Sequence, residues 1–352
     1  MPVVDFGGSW TALVTPFKED FSVDFDGLEK NISFQIDQGI TGVLAVGTTG
    51  ESPTLSTKEH NKVIAKARAF AGDGCDILAG TGSNSTDEAI GHTRHALKAG
   101  VDKVLLVDCY YNGPSSLELR REYYETVLKE LPDAKIVVYV IPGRSGTAIS
   151  PVDIAVMSGA YDRVIAIKEA TGDLNRMEEE RALMPGMSIM SGDDDRTFAM
   201  MSNPKIGAAG VISVTTNIAP RAVIGMVEAV LGGDMEQARE IEHKIKPLLA
   251  MVTIKAESER ILPDGRRVAV QDRFRNPVSI KAAMNILGMP AGPCRKPLGR
   301  LTSAAVSVIR NTLNEVHGKS PEILSPIGDF YGVDIEKRLQ DDTLWQSLVY
   351  SD

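Results

Sequence analysis

The sequence predicts an α/β fold, a (β/α)8 TIM barrel with a C-terminal helical appendix, on three observations. Eight short apolar runs rich in β-branched residues recur along the chain, segments of helical periodicity separate them, and the runs lead into small, hydroxyl-bearing or charged residues. Strands alternating with helices imply βαβ units and a parallel sheet. Eight such units close into a barrel, whereas doubly wound sheets carry fewer strands. A barrel of this kind builds its active site at the carboxyl ends of the strands, so the unusual clusters map to one mouth.

The runs are residues 10–17, 42–47, 76–82, 103–111, 135–142, 164–171, 187–193 and 207–217. Apolar residues recur at helical spacing over 26–38, 58–71, 86–99, 117–131 and 152–160. After Asn217 the character changes. Residues 220–231 read as the last barrel helix, and 235–251, 277–287 and 302–317 as helices of the appendix. Between them lies a polar, arginine-rich insert, 254–276, with a Pro263-Asp264-Gly265 turn. These limits give a catalytic barrel over 1–231, a helical domain over 232–317 and a tail over 318–352. Phe330, Tyr331, Trp345 and Tyr350 in the tail predict that it docks on the barrel or on a neighbouring subunit.

The chain has 352 residues, 43% hydrophobic and 24% charged, and a formal net charge of −9. That balance counts against nucleic acid or an anionic membrane as a partner, because both need a basic footprint. It leaves small anionic substrates open, since a few local cations can dominate a pocket. Cys75, Cys109 and Cys294 are odd in number and widely spaced, which suggests neither a disulfide framework nor a zinc site. No basic region followed by an apolar run opens the chain, and no run is long enough to span a bilayer. The expectation is a cytoplasmic protein.

Lys168 ends the apolar run Val164-Ile165-Ala166-Ile167-Lys168. Strand alternation sets Val164, Ala166 and Lys168 on one face, and Ile165, Ile167 and Glu169 on the other. If the isoleucines pack under the outer helices, Lys168 points into the barrel, where an amine loses its proton readily enough for Schiff-base chemistry. The alternative is a lysine snorkelling to solvent at a strand end. Tyr139 lies on the preceding run, close enough to relay protons, unless it is an ordinary core tyrosine. Gly47-Thr48-Thr49-Gly50-Glu51-Ser52 offers open amides and two hydroxyls to an anion, though it also reads as a turn before a helix. Arg144 sits just past Tyr139, placed to grip a carboxylate. Of Tyr110-Tyr111-Asn112 at the end of the fourth run, only one tyrosine can face inward on a regular strand. A metal-dependent aldolase is the rival, but it needs clustered ligands. His92 and His95 read as a helix-surface pair, and Asp193-Asp194-Asp195 as the cap of the next helix. No metal is expected.

Together these residues resemble the dihydrodipicolinate synthase/N-acetylneuraminate lyase family of class I aldolases. The resemblance lies in Gly47-Thr-Thr-Gly-Glu-Ser52, Gly80-Thr-Gly82, Tyr110-Tyr-Asn112, Tyr139-x-x-Pro-x-Arg-x-Gly146, Ile167-Lys-Glu-Ala-Thr-Gly172, Ser191-Gly-Asp-Asp194 and Gly210-Val-Ile-Ser-Val214, in the family's order over residues 9–250. It implies a (β/α)8 barrel with a helical domain, usually tetrameric, and no cofactor beyond a covalent imine on Lys168. It further implies that Tyr139, Thr48 and Tyr111 relay protons, with Tyr111 reaching into a partner subunit's site. Thr48 and Thr49 would hold the pyruvate carboxylate, Arg144 the carboxylate of the aldehyde, and Gly192 and Ile212 would line the pocket.

Arg144 and Tyr110-Tyr111-Asn112 favour condensation of pyruvate with aspartate semialdehyde, a step of lysine and diaminopimelate synthesis. Aldolases for 2-keto-3-deoxy sugar acids and aryl hydratase-aldolases are the alternatives within the family. The chain departs from the pattern at Val140, where asparagine is usual, and at Asp108-Cys109, where Thr-Pro is usual. Thr57, where histidine or glutamate is usual, counts against lysine feedback through Ser52, His60, Asn84, Glu88 and Tyr110.

Overall fold

The computed structural model describes residues 6–350. Residues 1–5 and 351–352, the first residues of the expected barrel domain and the last of the tail, lie outside the described residues. Eight parallel strands close a barrel in sequence order: β1 (Gly8–Ala12), β2 (Gly42–Ala45), β3 (Asp76–Gly80), β4 (Lys103–Val107), β5 (Lys135–Val140), β6 (Val164–Glu169), β7 (Ser188–Ser191) and β8 (Gly210–Ser213). β1 pairs with both β2 and β8, which closes the ring. Asn217 staples that seam: its side chain donates to Ala12 O at 2.8 Å and accepts from the Val14 amide at 3.1 Å.

All eight apolar runs form strands, but each strand is shorter than its run. The surplus residues at the carboxyl ends are the loops of the mouth, so Tyr110 and Tyr111 lie beyond β4 rather than on it. β5 and β6 carry the positions that matter most. A register shift between Ile136 and Val137 inserts one residue, so that Val137 pairs with Ala166 and Tyr139 with Lys168. Without that shift a strict count would set Tyr139 beside Ile167. Tyr139 and Lys168 therefore share a face and a level, in one row with Val107 and Met190.

Helices follow the strands because their apolar stripes need cover. Helix Thr57–Ala71 starts at a capping box, with Ser56 and Glu59 exchanging hydrogen bonds. Helix Leu174–Leu183 is absent from the periodic segments read from sequence because it buries only Met177 and Glu180, too few for a stripe. Asp108, which departs from the family pattern, is buried and ties three elements. It accepts from Tyr124 Oη at 2.7 Å and from the Ile149 amide at 3.1 Å.

The appendix is not purely helical. Residues 253–275 form an antiparallel hairpin, β9 (Thr253–Ile261) and β10 (Arg267–Arg275), closed by the Pro263-Asp264-Gly265 turn with Gly265 at φ 84°. The polar insert is thus a second, two-stranded sheet. The tail carries three short helices, Ser325–Tyr331, Ile335–Gln340 and Asp342–Gln346; the first docks on the barrel, and the other two pack on the appendix helix Ser303–Lys319. Phe330 and Tyr331 pack on Phe34, and Tyr331 Oη donates to Asn31 at 2.8 Å. No described helix is long and apolar enough to cross a membrane.

Candidate active site

Lys168 is 4% exposed at the end of β6, and its Nζ sits 4.4 Å from the centre of the Tyr139 ring. Burial lowers its pKa to about 8, with Arg144 acting in the same direction, against the pull of Asp194 and Asp193. An amine so placed is partly free base near neutral pH and can attack a carbonyl. Gly192 on the adjacent strand end makes room for it. A β-carbon there would lie 3.2 Å from Lys168 Cε, 2.8 Å from Ala170 Cβ and 3.0 Å from Glu169 O.

Glu169, one residue on, faces the other way. Buried outside the barrel, it accepts from the Thr171 amide at 2.8 Å and from Arg176 Nε at 3.1 Å. Tyr139 is buried, which pushes its phenol up, while Arg144 and the Thr48 hydroxyl pull it down. It therefore stays protonated near neutral pH and can donate to a developing alkoxide.

Lys168, Tyr139, Thr48, Thr49, Arg144 and Gly192 line one cavity of about 280 Å³ at the mouth. The loop carrying both threonines is held under strain. Val46 and Glu51, on either side, adopt left-handed backbone at φ 52° and 55°, a region β-branched valine rarely enters. The restraint comes from Glu51, whose buried carboxylate meets Lys281 Nζ at 2.8 Å and the Arg295 amide at 2.9 Å. Asn276 bridges both ends of the cavity. Its Nδ2 donates to Thr49 Oγ1 at 2.9 Å, and its carbonyl accepts from Arg144 Nη2 at 2.9 Å.

Two expected residues are not in this cavity. Ile212 is fully buried in β8, and Val214 instead forms that stretch of wall. Tyr111 is 90% exposed, at φ 80° on the surface, away from the cavity of its own chain.

The acidic run needs two corrections. Asp193 makes no helix-capping hydrogen bond; it lines the cavity, and burial pushes its carboxyl up to about 6. Asp194 holds the loop after β8, accepting from the amides of Val214 and Thr215 and from Thr215 Oγ1. The histidine pair is corrected as well. His92 is buried and stacks on His60, ring centres 4.0 Å apart, because the helices Thr57–Ala71 and Thr86–Lys98 pack face to face. Among the described residues no group of three or more His, Cys, Asp or Glu is gathered as metal ligands would be.

The model of the dihydrodipicolinate synthetase family matches residues 5–316. The chain belongs to that family. It is 40% identical over 307 residues to 4-hydroxy-tetrahydrodipicolinate synthase of Methanococcus vannielii, covering 87% of this chain and 97% of the relative. It is 39% identical to the enzyme of the same name from Endomicrobium trichonymphae, covering 83% and 92%. Among solved structures, dihydrodipicolinate synthase from Aquifex aeolicus superposes at a TM-score of 0.78 with 36% identity, covering 91% of this chain and 99% of that one. The 4-hydroxy-tetrahydrodipicolinate synthase of Methylacidiphilum fumariolicum SolV gives 0.80 at 33% identity, covering 93% and 99%.

For a member of the dihydrodipicolinate synthetase family the cavity holds residues that sequence reasoning left out. Thr253, Arg273, Arg275 and Asn276 line it from the appendix. A signal was present. Two stretches with alternating polar residues flank Pro-Asp-Gly, which is a hairpin pattern. Nothing in the sequence placed that hairpin over the barrel mouth.

Proposed function

We propose that the chain is a lyase that condenses pyruvate with L-aspartate 4-semialdehyde, forming 4-hydroxy-tetrahydrodipicolinate through an imine on Lys168. The observation that carries the reading is a buried amine of lowered pKa, in register with a protonated phenol, in one cavity with an arginine that forms no salt bridge among the described residues. The names of the relatives support the choice of reaction.

Lys168 Nζ attacks C2 of pyruvate while Thr48 and Thr49, with the amides of their loop, hold the carboxylate. Tyr139, exchanging protons with Thr48, protonates the departing oxygen, and loss of water leaves the imine. Removal of a proton from C3 gives the enamine, whose C3 attacks the aldehyde carbon, and the aldehyde oxygen becomes a hydroxyl. The substrate amine then adds to C2 and expels Lys168, closing the ring and freeing the enzyme. Arg144 orients the semialdehyde by its carboxylate. Tyr111, turned away from its own site, reaches the site of a second subunit, so the active form is at least a homodimer. Full turnover by a species that sediments as a monomer would contradict that assignment.

The test compares Arg144→Ala with the unaltered enzyme on the semialdehyde and on neutral aldehydes. The expected result is a fall in kcat/KM of about 10²-fold for the semialdehyde alone, the scale of losing a charge-assisted clamp. Equal losses on both would remove aspartate semialdehyde from the reading.

A further inference from the structure

The hairpin β9–β10 has two faces of different character. Ile254, Ala256 and Phe274 point inward and pack against the core. Alternation puts Thr253, Lys255, Arg273 and Arg275 on the opposite face, with Arg275 across from Thr253 and Arg273 across from Lys255. Two cations directly opposite one another on adjacent strands repel, an arrangement that weakens a hairpin unless something offsets it.

The hairpin's other arginines are matched with acids. Arg260 meets Asp272 at 2.9 Å, Arg266 meets Asp264 at 2.7 Å and Arg267 meets Glu259 at 2.9 Å. At the cavity the pattern is different. Arg273 and Lys255 form no salt bridge among the described residues. Arg275 Nη1 donates to the Gly143 carbonyl at 2.8 Å, and Arg144 Nη2 to that of Asn276. Arg273 and Arg275 both lie near enough to disfavour the charge on Arg144. Three guanidiniums thus line the cavity with no carboxylate among the described residues bonded to any of them, in a chain whose net charge is −9. Among the described residues Asp193 is the single acidic side chain lining the cavity.

We propose that the hairpin supplies specificity-determining residues: Arg273 joins Arg144 in binding the carboxylate of the aldehyde substrate, and Arg275 positions the Arg144 loop by gripping Gly143. This rests on the reading of the cavity as a pyruvate-imine site that accepts an acidic aldehyde. Two guanidiniums on one carboxylate give directional, charge-assisted hydrogen bonds that reject neutral aldehydes by leaving the cations unpaired.

The experiment measures Arg273→Gln and Arg273→Lys with pyruvate and L-aspartate 4-semialdehyde. Arg273→Gln is expected to raise KM for the semialdehyde about tenfold or more while KM for pyruvate stays within about twofold, with Arg273→Lys recovering part of the loss. An unchanged KM for the semialdehyde, or an equal rise for pyruvate, overturns the proposal. The same variants are also reduced with borohydride in the presence of pyruvate, which blocks the imine position, and titrated calorimetrically with succinate as an unreactive carboxylate. If the unaltered enzyme turns over no semialdehyde, the proposed reaction fails alone, and the titration decides: weaker succinate binding by Arg273→Gln supports the hairpin site, and equal binding overturns it.

Discussion

Lys168 is subject to opposed influences that set when it can react. Desolvation strips its ammonium of water, Asp193 and Asp194 favour the charged form, and the balance leaves the pKa at about 8, below the usual lysine value. The sign follows directly: below about 8 most of the amine is protonated and cannot attack, and above it the free base dominates. The kcat/KM for pyruvate should therefore rise by close to tenfold per pH unit on the acid side and level off above about pH 8. A steady-state profile checks this, and a flat one across the neutral range would contradict it. Lys168, Tyr139, Thr48, Thr49 and Arg144 were all legible in the sequence, since each is a reactive or cationic residue at a strand end. Asp193 and His92 were misread for one reason. Their neighbours come from other elements, and local spacing predicts a cap or a surface position for both.

The β-strands were legible because parallel strands buried on both faces leave continuous apolar runs that spacing alone reveals. The register shift between β5 and β6 was not, since the one extra residue, Ile165, changes pairing without changing composition. The hairpin shows the same limit, as its strands are half polar and its position depends on contacts with the barrel. Another inter-element contact carries the strained 47–52 loop: Glu51 is 0% and Lys281 1% exposed at the side chain, paired at 2.8 Å. Lysine 281 also donates to Pro293 O at 2.7 Å, so the pair pins the loop to the appendix. Lys281→Met leaves the Glu51 charge buried and uncompensated, and should lower unfolding free energy by about 3–5 kcal/mol. Denaturant titration measures it. Adding Glu51→Gln should recover part of the loss, because the orphaned charge is removed. No change in midpoint for Lys281→Met would contradict a restraining role.

Across the molecule, the barrel brings Lys168, Tyr139 and Arg144 to the cavity while the appendix brings Thr253, Arg273, Arg275 and Asn276. Residues from β2, β5, β6, β7 and β8 or the loops after them meet in one cavity, and the segment 252–276 closes its side. The proposed imine is independent of the choice of aldehyde, since it needs only Lys168 and pyruvate. It is tested most directly by reducing the purified chain with borohydride in the presence of pyruvate, followed by mass spectrometry of the intact chain and its peptides. A single stable pyruvate adduct is expected on the peptide containing Lys168, absent from Lys168→Ala. An adduct on another lysine, or product formation by Lys168→Ala, would contradict it.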